Sequence, residues 1–144
     1  MQMMREILFR AKNFDNGVWV QGYYVRLNGN KHFIYTGQSD VDCGNYYPDY
    51  YPVAAKTVGQ FTGCTDKNGV KIFEGDIIQV DFQPEYIGIK SRPSYIGVVE
   101  YREGAFGIYE KGKGTQYFFQ HGLIKTVIGN IYDNPELIGG ADNG

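Results

Sequence analysis

The chain of 144 residues has no apolar run approaching the roughly 20 residues that a membrane-crossing helix needs. Its N-terminus also lacks the apolar core of a signal peptide. Both absences lead to the expectation of a soluble cytoplasmic protein with no membrane partner. Cysteine is scarce as well: Cys43 and Cys64 stand 21 positions apart with no C-x-x-C pair. A domain of this length buries a core without staples, so both are read as free thiols. There is no excess of positive charge. The formal net charge is −2, with eight Lys/Arg against six Asp/Glu up to Ile72 and six against ten after it. A protein held to nucleic acid by neutralising phosphates needs a basic patch that this balance does not supply, which sets nucleic acid behind protein as a partner.

Helix formers are few, and what stands in their place points to strands. Twenty glycines, 13 tyrosines and nine phenylalanines suit pleated surfaces joined by tight turns, since aromatics pack well on a sheet and glycine supplies positive φ. In "MMREILFRAK", Ile7 and Phe9 alternate with Glu6, Leu8 and Arg10 before a turn at Asp15-Asn16-Gly17. "VWVQGYYVRL" follows, and Asn28-Gly29-Asn30 turns the chain into "KHFIYTG". The tract "SDVDCGNYYPDYYP" at 39–52 has two prolines and no periodicity and reads as a long exposed loop. Beyond it, "AAKTVGQFTG" opens with a short helical turn.

The segment "FTGCTDKNGVKIFEGDIIQV", Phe61 to Val80, carries a turn at Asp66-Lys67-Asn68-Gly69. Its "DIIQVDF" places Ile78, Val80 and Phe82 on one face of a half-buried strand. Residues 83–94 read as a second loop. "YIGVVEYREGAFGIYE" is a hairpin with its tip at Arg102-Glu103-Gly104, and "LIKTVIGNIY" is a closing strand. Asn134-Pro135-Glu136-Leu137 fits a helical turn with Asn134 as N-cap and Pro135 first, ahead of a frayed tail at 139–144. Together these predict one domain over 1–144, mainly β: a small SH3-like barrel with long loops and at most short helical turns.

The blocks "MREILFRAK", "DNGVWVQGYYV", "TVGQFTGCTDKNGVKIFEGDIIQV", "GVVEYREGAFGIY" and "VIGNIYDNPEL" resemble, in order and over nearly the whole chain, the YopX-type proteins of bacteriophages and prophages. The TGxxDKNGxxIxEGDI block is the specific one. The resemblance implies a phage or prophage context, a small β-barrel core and self-association. It carries over no reaction and no catalytic residues.

The sequence offers three candidate surfaces. Tyr46, Tyr47, Tyr50 and Tyr51 are the first: if exposed, they form the rigid amphipathic contact area that protein interfaces favour. Asp40, Asp42 and Asp49 lie among them and repel a phosphate backbone, and the competing possibility is that the tyrosines fold back on their own sheet. The second, a nucleic-acid surface, would need Lys90, Arg92, Lys111, Lys113 and Lys125 to converge. The third is a divalent-cation site, with or without enzymatic chemistry, from Asp66, Glu74 and Asp76, weighed against plain use of these acids to hold backbone amides at a turn and strand start. The structural use is favoured. His32 and His121 have no zinc-ligand spacing, neither cysteine sits in a nucleophile motif, and "GKG" at 112–114 follows no strand-to-helix P-loop. No cofactor, metal or catalytic residue is therefore assigned. The expected function is a non-enzymatic module that self-assembles or binds a phage or host protein, with a nucleic-acid-binding accessory protein as the alternative.

Overall fold

The computed structural model describes residues 5–42, 45–82, 94–110, 116–117 and 123–139, with side chains described for all of these except 38–49, 116 and 117. The chain divides into two compact units, Met1–Phe61 and Thr62–Gly144. Each has its own buried cluster.

The N-terminal unit is built from β1 (Phe9–Lys12), β2 (Trp19–Leu27), β3 (Lys31–Asp42), β4 (Asn45–Pro52) and the first residues of β5 (Gly59–Thr65). They pair antiparallel in the order β4-β3-β2-β1-β5. Short polar side chains set the first turn: Asn13 and Asn16 each accept a backbone N–H two residues on, at 2.9 Å, and Gly17 turns at φ 72. Alternation then sorts the strands. Ala11, Ile34 and Val53 are buried on one face, with Phe9, Val20, Tyr24 and Val58 packed against them. Strand β2 serves two neighbours in succession, Trp19–Gly22 pairing with β1 and Tyr23–Leu27 with β3. That handover needs glycine, because a Cβ on Gly22 would lie 2.2 Å from the carbonyl oxygen of Tyr35.

The tract 39–52, expected as a loop, is a hairpin of β3 and β4 instead, with Ser39, Asp40, Val41 and Asp42 facing Pro48, Tyr47, Tyr46 and Asn45. The register shifts between Tyr35 and Ser39, where Gly37 has φ 79. The prolines are tolerated because β4 is an edge strand. Val53 donates its N–H to the carbonyl of His32, so odd-numbered residues of β4 turn their backbone groups to β3. Pro48 and Pro52 therefore lie where the missing N–H would face away from the sheet, and no ladder bond is lost.

The C-terminal unit holds the rest of β5, then β6 (Lys71–Phe73), β7 (Asp76–Phe82), β8 (Tyr95–Arg102), β9 (Ala105–Tyr109), β10 (Gln116–Tyr117) and β11 (Leu123–Asn130). Five of these form an antiparallel sheet in the order β10-β9-β8-β7-β11. Ile72, Ile78, Val80, Val99 and Ile108 are its buried cluster, joined by Phe82, Tyr95, Leu123 and Val127. The faces of β7 are as the alternation predicts, but Ile77 on the opposite face is also fully buried. Lying between β8 and β11, β7 is a central strand covered on both sides. The hairpin tip falls at Glu103-Gly104, both at positive φ. Two 3-10 turns, Ala55–Thr57 and Pro135–Ile138, stand where short helical turns were expected. Asn134 does not cap the second; its Oδ1 reaches back to accept the N–H of Asn130 at 3.2 Å. The protein is thus mainly β, and among the described residues no closed barrel forms.

Replacing Gly22 with alanine forces a methyl group onto a backbone oxygen, and we expect a loss of about 2–3 kcal/mol. Gly29→Ala, where the added Cβ meets nothing within 4 Å but φ is 77, should cost only about 1–2 kcal/mol. Urea titrations followed by the fluorescence of Trp19, the single tryptophan, would rank the two. Equal costs would refute the steric account.

Candidate functional site

Alternation along β2, β3 and β4 leaves one face of the N-terminal sheet turned away from the Ala11–Ile34–Val53 cluster. Register puts three tyrosines in a row across it, Tyr23 opposite Tyr35 and Tyr35 opposite Tyr50. Tyr23 is 57% and Tyr50 52% exposed, with Tyr35 half-buried between them. The Tyr35 and Tyr50 rings stack with centroids 4.8 Å apart. Their backbones form a pair without ladder hydrogen bonds, the kind that brings cross-strand side chains closest. The next row is Val25, Phe33 and Pro52, and beyond it stand Leu27 and Lys31. On the same face, Arg10 and Lys12 of β1 lie 4.8 and 5.5 Å from the ring centre of Trp19. None of the residues named on this face is acidic. Stacked, stiff aromatics with few rotamers give up little entropy on contact, so the face is suited to binding.

Of the tyrosines singled out in sequence, the structure places Tyr50 on this face and turns Tyr51 to the other, opposite Ile34. Tyr46 and Tyr47 belong to β4 by their backbones, and their side chains lie outside the described residues. Tyr50 and Tyr51 thus point to opposite faces, and the tract that carries them is a strand pair rather than a loop. Tyr23 and Tyr35, which complete the row, escaped the sequence reading; their only signal was strand alternation in "GYYV" and "FIY", which names no partner strand. Lys90, Arg92, Lys111 and Lys113 lie outside the described residues, as do Cys43 and His121. Lys125 sits in β11 opposite Val80. Cys64 is a half-buried free thiol in β5, and His32 Nδ1 meets the hydroxyl of Tyr24 at 2.5 Å.

Two of the three candidate cation ligands, Asp66 and Asp76, are occupied by backbone amides. Asp66 is 7% exposed, and its Oδ1 accepts the backbone N–H groups of Asn68 and Val70 at 2.8 and 2.9 Å. Its Oδ2 accepts the N–H of Val127, 61 residues away, at 3.0 Å. Burial is the largest single influence on this carboxyl and works to raise its pKa. The three amide hydrogen bonds and the charge of Lys67 together outweigh it and hold the pKa below the ordinary 3.8. Asp76, 1% exposed, accepts the N–H of Phe73 at 2.8 Å. Between Glu74 and Asp76, Gly75 at φ 88 donates to Val99 and accepts from Ile131, both at 2.9 Å. The described residues contain no group of three His, Cys, Asp or Glu side chains placed to hold a metal ion. Nor do they contain a helix long and apolar enough to cross a membrane.

The chain belongs to the YopX protein family, whose model matches residues 8–139. It is also similar in structure to protein EF1440 from Enterococcus faecalis, known from a crystal structure. That likeness has 25% sequence identity and a TM-score of 0.54, and covers 94% of this chain and 99% of the other. No curated protein matches the sequence.

Asp66→Asn keeps an acceptor for Asn68 and Val70 but presents an amide N–H₂ to the N–H of Val127. We expect a loss of about 1–3 kcal/mol at pH 7. Because the folded pKa lies below the unfolded 3.8, the carboxylate's contribution is complete above that value and disappears as pH falls from there through the folded pKa. Urea midpoints measured from pH 6 down to 2 should therefore fall less steeply in Asp66→Asn than in the wild type. Parallel curves would show that Asp66 adds nothing to acid sensitivity.

Proposed function

We propose that this chain is a non-enzymatic protein-binding module, encoded by a phage or prophage and working in the bacterial cytoplasm, that assembles through the outer face of its N-terminal sheet. The row Tyr23–Tyr35–Tyr50 carries the reading, since monomers rarely keep ordered aromatics aligned and exposed without using them. The edge of the same sheet is unsuited to the task. Extending it would need outward N–H donors along β4, and two of those positions are Pro48 and Pro52; edge prolines block strand addition. A partner therefore lies on the face. The buried carboxylates support a binding role over cation chemistry, because backbone amides already use them.

A second reading draws on Trp19, flanked by two cations, an arrangement on which an unpaired base would stack. Sedimentation velocity between roughly 5 and 200 µM, together with anisotropy of a labelled oligo-dT at low salt, separates the two. We expect the wild type to associate with rising concentration, the combined Tyr23→Ser, Tyr35→Ser and Tyr50→Ser variant to stay monomeric with an unchanged fold, and the oligonucleotide to remain free. A wild type that is monomeric throughout overturns the assembly reading, and oligonucleotide binding lost in the same variant would replace it with the second.

A further inference from the structure

One large apolar side chain in the N-terminal unit is held out in solvent by its own fold. Phe14 is 73% exposed, yet its turn is rigid: its N–H donates to the carbonyl of Pro52, Gly17 donates to Asn13, and the Asn13 and Asn16 side chains hold the flanking amides. A flexible turn would let a phenyl ring fold back; this one fixes it outward. Beside it opens a cleft of about 560 Å³, lined by Phe14, Lys31, His32, Phe33, Pro52 and Val53 among others, with no acid among the described residues that line it. Phe33 and Pro52 also belong to the aromatic face, so cleft and face are continuous. The next residue, Asp15, is exposed and carries a charge opposite to that of the exposed Lys31.

Within the assembly reading, which it takes as its premise, we infer that the partner is a second copy of this chain, held by reciprocal exchange of Phe14 and Asp15. The phenyl ring of one copy enters the cleft of the other, and its Asp15 carboxylate meets the other's Lys31 ammonium. The arrangement suits a two-fold axis: anchor and socket adjoin on one molecule, so one patch makes both halves of the contact. The phenyl ring is a rigid anchor in an apolar cleft, the kind of contact that dominates interface energy, and the ion pair at its rim sets orientation more than strength. Association should accordingly weaken with added salt without vanishing.

Charge exchange tests reciprocity directly. Asp15→Lys alone sets two ammonium groups against each other in both halves of the dimer, and Lys31→Asp alone sets two carboxylates against each other. Each single variant should be monomeric near roughly 50 µM by sedimentation velocity. Their equimolar mixture should form a one-to-one heterodimer that neither variant forms alone, because in it the ammonium introduced at position 15 of one chain meets the carboxylate introduced at position 31 of the other, and the unchanged Asp15 and Lys31 meet in the second half. The double variant Asp15→Lys with Lys31→Asp is a second rescue: it restores opposite charges in both halves within one chain and should dimerise as the wild type does. Phe14→Ala should weaken dimerisation by about tenfold or more. Circular dichroism and melting temperatures check that all variants fold. If the wild type assembles and the tyrosine variant does not, but the single charge variants and Phe14→Ala assemble as the wild type does, the reciprocal contact is refuted and the face stands. A folded double variant that stays monomeric also refutes it.

Discussion

A single carboxylate organises the C-terminal unit. Asp66 closes its own turn with two hydrogen bonds and turns its remaining oxygen to the amide of Val127, while Lys67 N–H reaches the carbonyl of Lys125. The hairpin of β5 and β6 is thereby fixed to β11, and β11 to β7 through a ladder from Leu123 to Asn130. Amides at a tight turn have no strand partner, and leaving one buried and unpaired costs about 1–3 kcal/mol. A charged acceptor relieves three at once. Gly75 acts comparably through its backbone alone, joining the start of β7 to Val99 and Ile131. Ile72, Ile78, Val80, Val99 and Ile108 then close around a frame already pinned at its turns.

The N-terminal unit solves a different problem, that of a sheet with an open edge. Its β2 changes partners at Gly22, where the absence of a side chain lets the backbone of β3 approach. Its edge strand carries prolines where their missing donors are harmless to the sheet and unhelpful to an incoming strand. The register that results aligns Tyr23, Tyr35 and Tyr50 and separates Tyr50 from Tyr51. Edge protection and face exposure thus have one geometric origin.

Asp66 and Asp76, two of the acids that first suggested chemistry, hold backbone amides of the fold, and the proposed contact role rests on other groups. The proposed recognition surface is built from aromatic rings, the cations beside Trp19 and the cleft beside Phe14. Membership of the YopX family and likeness to a second protein over nearly its whole length agree with a fold that is reused as a whole.

What the sequence determined by itself was local. Asp66-Lys67-Asn68-Gly69, Glu74-Gly75-Asp76, the hairpin tip at 102–104 and the all-β character follow from turn chemistry and two-residue alternation, which act over a few positions. It could mark Asp66 and Asp76 as backbone acceptors without naming Val127 as a ligand. Tertiary structure alone decided that β7 is buried on both faces, that 39–52 is a hairpin and that Tyr23, Tyr35 and Tyr50 line up in one row. Each depends on which strand lies beside which. A proline in β4 reads as a loop signal until pairing shows it on an edge, and a tyrosine's face is settled only when its neighbour's register is known. Register is set by contacts between distant segments, and no short stretch of sequence contains them.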